Sequence, residues 1–324
     1  MCPGQGSQQP GFLDPWLEVP GVRDRLAALS DVARIDLIAH GTTSDAATIK
    51  DTAVAQPLIV SASLVALRTL LDQRSPSDVV DVTAGHSVGE LAAAAVAGVL
   101  DDAGAVALVT ERASAMADAA GLEPTGMAAV LGGDPEQVLA AIAAAGAHPA
   151  NVNAAGQVVA AGSTTALDAL SAAPPARSRV VPLQVAGAFH TPYMAPARDR
   201  FAAAAATASP ADPQLPLLSD ADGAPYSGGT GGHGSGAEVL DRLVEQVLAP
   251  VRWDRCQQTL VQMGVTAMIE LLPGGVLTGL ARREMRGVET VAVTIPEDLD
   301  AAEDLIRRHS VCAAAATSEE ESRP

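Results

Sequence analysis

Gly85-His86-Ser87-Val88-Gly89 sets a serine between two glycines, directly after the apolar run 79–84 and directly before an Ala/Leu/Val-rich segment. A G-x-S-x-G pentapeptide in that setting is a nucleophile elbow: glycines permit a sharp strand-to-helix turn, and the serine oxygen projects at a helix N-terminus. The next amide, Val88, can then donate to a developing oxyanion. The pentapeptide alone also describes an ordinary turn; the flanking strand and helix signals favour the nucleophile. A serine needs a base, and the sequence has six histidines. His40, His148, His233 and His309 fall in expected loops, surface helices or the tail, and His86 adjoins the serine. His190, in V-A-G-A-F-H-T-P-Y-M, follows an apolar strand and precedes a loop, where an imidazole can face a cleft. A structural histidine fits the same residues equally well. Residues 2–8 (C-P-G-Q-G-S-Q) form a second glycine turn, either a plain loop or a backbone donor to an acyl oxygen.

The elements that must position these residues alternate strand and helix. Residues 55–71 have helical character, with Gln56-Pro57 suiting a first-turn proline. Residues 79–84 read as a short buried strand, and 88–98 as a helix. From about residue 121 the rhythm changes. A strand at 127–131 leads to Asp134 as a helix N-cap with Pro135 first in the helix, which stops at Gly146. Two short strands (150–153 and 157–161), a helix from Ser163 or Thr164, and a strand at 179–185 complete strand-helix-strand-strand-helix-strand in about 60 residues, the ferredoxin-like order. Helices are expected near 196–208, 237–248 and 255–263, a strand at 266–271, and a flexible glycine-rich loop within 221–237. The expected fold is therefore α/β. A large α/β-hydrolase-like domain with a parallel sheet (1–122 and 187–309) would carry an inserted small ferredoxin-like α+β domain (123–186), and 310–324 would be a disordered tail.

Composition narrows the function. The formal charge is −18, which gives no electrostatic footprint for nucleic acid and argues against an anionic membrane surface. An anionic partner would need a local basic patch; Arg282, Arg283 and Arg286 offer one, and solvated helix charges are the plainer reading. Three scattered cysteines suit a reducing compartment and argue against zinc. No signal peptide is visible, and no apolar stretch reaches the roughly 20 residues of a membrane helix. A soluble, cytoplasmic protein is expected.

Taken in order, G-Q-G-S-Q, T-A-V-A-Q-P, G-H-S-V-G-E, Arg112 in V-T-E-R, N-V-N-A-A-G-Q-V-V-A-A-G, G-A-F-H-T-P-Y-M and P-V-R-W span roughly residues 3 to 295. This set resembles the malonyl-CoA:acyl carrier protein transacylases and the related acyltransferase domains of polyketide synthases. The resemblance implies transfer of malonyl from malonyl-CoA to the phosphopantetheine thiol of holo acyl carrier protein, through an acylated Ser87 with His190 as base. It implies no cofactor, no metal and a monomer. It further implies that the main-chain carbonyl of Gln246 orients His190, that Gln5 and Val88 donate the oxyanion N–H groups, and that Arg112 grips the free malonyl carboxylate. Gln56, His86, Met116 and Asn153 match pocket positions, and Phe189 would fill the space that an extra methyl group needs, favouring malonyl over methylmalonyl. Two departures stand out. Only Met1-Cys2 precede P-G-Q-G where the family has a short apolar strand, so a gap in the sheet and an upstream start are expected. Ala249 stands where N-P is common, which bears on the placement of Gln246.

Three functions compete. A fatty-acid or polyketide malonyl transferase uses all the matched residues. An α/β-hydrolase esterase or thioesterase would place its acid before a late histidine and has no role for Arg112. A scaffold that only docks carrier proteins has no need of Ser87, His190 and Arg112 together.

Overall fold

The computed structural model describes residues 1–185 and 187–320, with side chains to residue 310. It is a mixed α/β protein with a small antiparallel sheet and a set of parallel strands. The parallel set is built from very short pieces. Thr83 bridges Leu217, Gly85 bridges Cys2, and Ala267–Glu270 pairs in parallel with Glu289–Ala292. Only the end of the strand expected at 79–84 pairs with neighbours; Pro76–Asp78 is a 3-10 turn just ahead of it.

Met1 and Cys2 occupy the place where a gap was expected. The Met1 amino group donates to Ile269 O (2.7 Å), Leu271 N to Met1 O (2.9 Å), Cys2 N to Ala84 O (2.9 Å) and His86 N to Cys2 O (3.0 Å). Two residues thus hydrogen-bond to strands on both sides, which removes the gap, because a parallel ladder needs only alternate groups from the middle strand.

Helix Thr52–Leu71 crosses the core, with 83% of its apolar window buried. It is long and apolar enough to cross a membrane by length and composition, against the expectation of no such stretch; its burial within the protein accounts for its hydropathy. It also starts earlier than expected. Asp51 caps it by accepting from Ala53 N, so Pro57 lies inside the helix instead of in its first turn. Helix Asp102–Ala120, capped by Asp101, packs against it.

The antiparallel sheet has the order His148–Ala154, Gln157–Ser163, Thr125–Gly132, Ser178–Pro182. Helices Pro135–Ala144 and Thr164–Ala172 join its strands, with Asp134 and Ser163 as the N-caps that the sequence places there. A separate core of Val130, Val138, Ile142, Val158, Ala166 and Leu170 fills the space between sheet and helices. The edge strand is stitched to the rest of the chain, since Val152 N donates to Val251 O and Val251 N to Ala150 O.

Later helices run Ala195–Ala205, Gly236–Glu245, Trp253–Gln262 and Val276–Glu284. The glycine-rich loop is anchored by Asp212, which accepts from the amides of Thr230 and Gly236. A last helix, Asp298–Glu320, extends into the stretch expected to be a disordered tail. Residues 321–324 of that stretch, and Ala186 just after the expected strand 179–185, lie outside the described residues.

Candidate active site

Ser87 sits between the extended residues 82–85 and helix Gly89–Val96, with φ +54°. That left-handed conformation costs a non-glycine residue of order 1–3 kcal/mol, and the surrounding packing must hold it. The two glycines explain how the turn is that tight. A Cβ on Gly85 would lie 2.0 Å from Gly89 O, and one on Gly89 would lie 2.2 Å from Cys2 O. Helix and strand approach backbone to backbone, and the serine is pushed outward.

His190 is 3% exposed and has φ +60°. The Ser87 hydroxyl donates to its Nε2 at 2.7 Å, and its Nδ1 donates to the main-chain oxygen of Gln246 at 2.8 Å. The carbonyl fixes the tautomer that leaves Nε2 free to accept a proton. Ala249 does not disturb this placement. Burial first, then the nearby Arg112 cation, pushes the imidazole down to about 3, so it rests neutral.

Arg112 projects from helix Asp102–Ala120 and is 1% exposed. Its Nη1 donates to Gln56 Oε1 (2.5 Å) and its Nη2 to Gln246 Oε1 (2.8 Å). Among the described residues no carboxylate bonds it directly. Burial lowers it to about 10, still cationic near neutrality. A buried, amide-flanked guanidinium without a bonded carboxylate is ready to take one from a ligand. Gln56 also reaches Met116 Sδ at 3.6 Å, which brings those two pocket candidates together.

The remaining candidates divide by neighbourhood. His86 Nε2 meets Asn153 Oδ1 at 2.8 Å and stacks edge-on to Trp253; it faces the antiparallel sheet instead of the serine. Phe189 is buried beside His190. Val88 opens the elbow helix, while Gln5 follows Gly4, whose Cβ would lie 2.7 Å from His86 O. Among the described residues neither the Gln5 nor the Val88 amide donates a hydrogen bond, so both are free for an oxyanion. A depression of about 450 Å³ opens elsewhere, between Leu122, His148 and Tyr193, and its lining includes none of Ser87, His190 or Arg112. Arg282, Arg283 and Arg286 are exposed, and none forms an ion pair among the described residues.

Sequence reasoning missed Glu90 and Asp220. Both are 1% exposed and lie beneath the elbow. Asp220 Oδ2 accepts from Ser87 N at 2.7 Å, and Gln246 Nε2 donates to Glu90 Oε2 at 2.5 Å. The available signal was Glu90 itself, a charged residue in an otherwise apolar helix.

Comparisons with known proteins bear on the chain as a whole. The family model described as an acyl transferase domain matches residues 1–297. A malonyl CoA-acyl carrier protein transacylase from Mycobacterium bovis is 52% identical over 300 residues, covering 93% of this chain and 97% of that protein. A crystal structure of MCAT from Mycobacterium tuberculosis superposes with TM-score 0.87 at 52% identity, covering 93% and 97% of the two chains. A structure of a type II PKS acyl-carrier protein in complex with its malonyl-transacylase (PlMCAT:AntF, holo) superposes with TM-score 0.83 at 31% identity, again over 93% and 97%. A serine elbow, a carbonyl-held imidazole and a buried arginine joined through Gln246 thus coincide with whole-length similarity, and the chain belongs to the acyl transferase domain family, among its malonyl CoA-acyl carrier protein transacylases.

Proposed function

We propose that Ser87 and His190 are the dyad with which this enzyme moves malonyl from malonyl-CoA to the thiol of acyl carrier protein, supplying extender units for fatty acid synthesis. One observation carries the reading: the Ser87–His190–Gln246 relay, closed at 2.7 and 2.8 Å, has the carboxylate-ready Arg112 bonded to the same glutamine.

The chemistry runs in two halves. Ser87 Oγ gives its proton to His190 Nε2 and attacks the thioester carbonyl. The oxyanion is received by the Val88 and Gln5 amides. The C–S bond then breaks, coenzyme A leaves as a thiol with the proton from His190, and malonyl remains on Ser87. In the second half His190 takes the proton of the phosphopantetheine thiol, the sulfur attacks the acyl carbonyl, and the Ser87 C–O bond breaks as His190 returns the proton to Ser87 Oγ.

Arg112 does more than bind. Its charge is one reason the imidazole is a weak base. A malonyl carboxylate paired with it cancels that charge and makes His190 more basic, so the correct acyl group assists its own transfer. Phe189, beside the base, restricts the space for a branched acyl group.

Residues 1–122 and 187–309 are read as an α/β-hydrolase-like domain and 123–186 as an inserted ferredoxin-like domain; the observed strand order 2-3-1-4 within the insert supports this. The exposed Arg282, Arg283 and Arg286 supply local positive charge for anionic coenzyme A or carrier. The enzyme is expected to act as a monomer. The polyketide carrier in the AntF complex keeps a polyketide partner as the second reading.

Incubation with radiolabelled malonyl-CoA tests the function. A transacylase retains label on the protein and passes it to holo carrier protein. Release of free malonate with no retained label would identify a hydrolase instead. Fatty-acid and polyketide carriers offered in competition separate the two partners.

A further inference from the structure

Glu90 and Asp220 lie under Ser87 with no lysine or arginine bonded to either carboxyl group among the described residues. Both acids converge on one amide group. Gln246 Nε2 carries two hydrogens but faces three acceptors: Ser87 O at 2.9 Å, Glu90 Oε2 at 2.5 Å and Asp220 Oδ2 at 3.2 Å. Asp220 Oδ2 already accepts the Ser87 amide at 2.7 Å. Asp220 N and the Tyr226 hydroxyl both approach Glu90 Oε1, at 3.3 and 3.4 Å. Two buried acids are thus gathered around one amide nitrogen, which has no hydrogen to spare for the third contact.

Charge decides how many protons the pair carries. The groups that face the pair are Arg112, joined through Gln246; Tyr226; Cys256, with Sγ 4.0 Å from Asp220 Oδ1; and His190 on the far side of Gln246. Burial raises the tyrosine and the cysteine and lowers the histidine, so all three are neutral, and among the described residues Arg112 is the one cation facing the pair. A single carboxylate balances it, whereas two would leave an uncompensated buried charge. Burial pushes Glu90 up to about 7 and Asp220 well above its ordinary value.

We propose that Glu90 and Asp220 share one proton and, as that acid–carboxylate pair, are positioning residues that hold the Ser87 amide and the Gln246 side chain, and through them His190 and Arg112. The strained serine is thereby tied at its amide by Asp220 and at its carbonyl by Gln246. Gln246 in turn presents one oxygen to the base and the other to the arginine.

The kinetic arm of the test rests on the transacylase reading; the spectroscopic arm does not. Infrared spectra of the full-length wild type near neutral pH should contain a protonated carboxyl band from this pair that disappears or shifts in E90Q and in D220N. In single-turnover acylation by labelled malonyl-CoA, either amide replacement keeps a neutral partner beside a carboxylate, and the rate should fall by no more than about tenfold. E90A, checked for folding by circular dichroism, leaves Gln246 with an unmade buried bond and should fall roughly 10- to 100-fold. The double variant E90Q/D220N, with no charge to face Arg112, should be slower than either single amide. Wild-type acylation should also decline as rising pH removes the shared proton, and E90Q should lose that decline.

No such band in the wild type, a band indifferent to both amide variants, an E90A protein acylating at the wild-type rate, or a decline just above neutrality, below the range where Arg112 titrates, retained in E90Q would each overturn the proposal. A wild type that takes up no malonyl label would refute the activity and leave the infrared result to decide the pair.

Discussion

Arg112 and His190 are anchored to the same residue: the arginine Nη2 donates to the side-chain oxygen of Gln246 and the imidazole Nδ1 to its main-chain oxygen, each at 2.8 Å. The proposed reader of the acyl carboxylate and the proposed base therefore cannot shift independently. Displacing the guanidinium pulls on the residue that fixes the base. This link makes selectivity and rate two readings of one geometry, and it shapes what substitutions should do.

Ser87→Ala removes the only hydroxyl bonded to His190 Nε2 among the described residues. Acyl-enzyme labelling should vanish and turnover fall at least about a thousandfold, as for other nucleophiles that act as a unit with their base. Near-normal labelling of this variant, measured after denaturation and gel separation, would reassign the nucleophile.

Arg112→Ala should lower malonyl transfer roughly 10- to 100-fold, the worth of a charge-assisted pair in a buried site. Acetyl transfer should hold or rise, because the cation that suppresses His190 basicity has gone. Parallel kcat/KM measurements with malonyl-CoA and acetyl-CoA decide this, and equal losses would show that Arg112 does not read the carboxylate.

The pH dependence follows from the direction of the His190 shift. As the proposed base it acts in its neutral form, and burial with the Arg112 charge carries its folded value from 6.5 down to about 3. The acylation kcat/KM should therefore stay level as pH falls past 6.5 and drop only on approach to the lower value. An acid limb centred at the ordinary histidine value would mean that the imidazole is more solvated than its 3% exposure implies.

Gly89→Ala puts a methyl group 2.2 Å from Cys2 O and 2.7 Å from Pro3 O. Neither backbone can yield without opening the Met1-Cys2 ladder, so the variant should lose about 1–3 kcal/mol of stability. Denaturant unfolding measures it, and labelling should fall with it as the elbow loosens. An unchanged midpoint would mean that the N-terminal residues do not pack there in solution.

Phe189→Ala opens space next to the base. Methylmalonyl transfer should gain on malonyl by roughly tenfold or more, consistent with about 1–3 kcal/mol for a methyl group in a pocket. Competition between the two thioesters reads the ratio directly.

The sequence by itself determined the local chemistry. A pentapeptide with two glycines compels a tight turn, Asp134-Pro135 and Ser163 begin helices, and the alternation of strands with helices dictates a mixed α/β chain, because each of these depends on residues close in sequence. It misjudged where only packing decides. Pro57 entered its helix because Asp51 capped it one turn earlier, and two N-terminal residues closed a sheet that local pattern left open. It was silent on Glu90 and Asp220. A carboxylate at a helix start reads as solvated until the fold shows what surrounds it, and Asp220 lies 130 positions away. Only tertiary structure brings those acids, Gln246 and Arg112 into one dry volume, and only there does a missing hydrogen or an unpaired charge acquire a consequence.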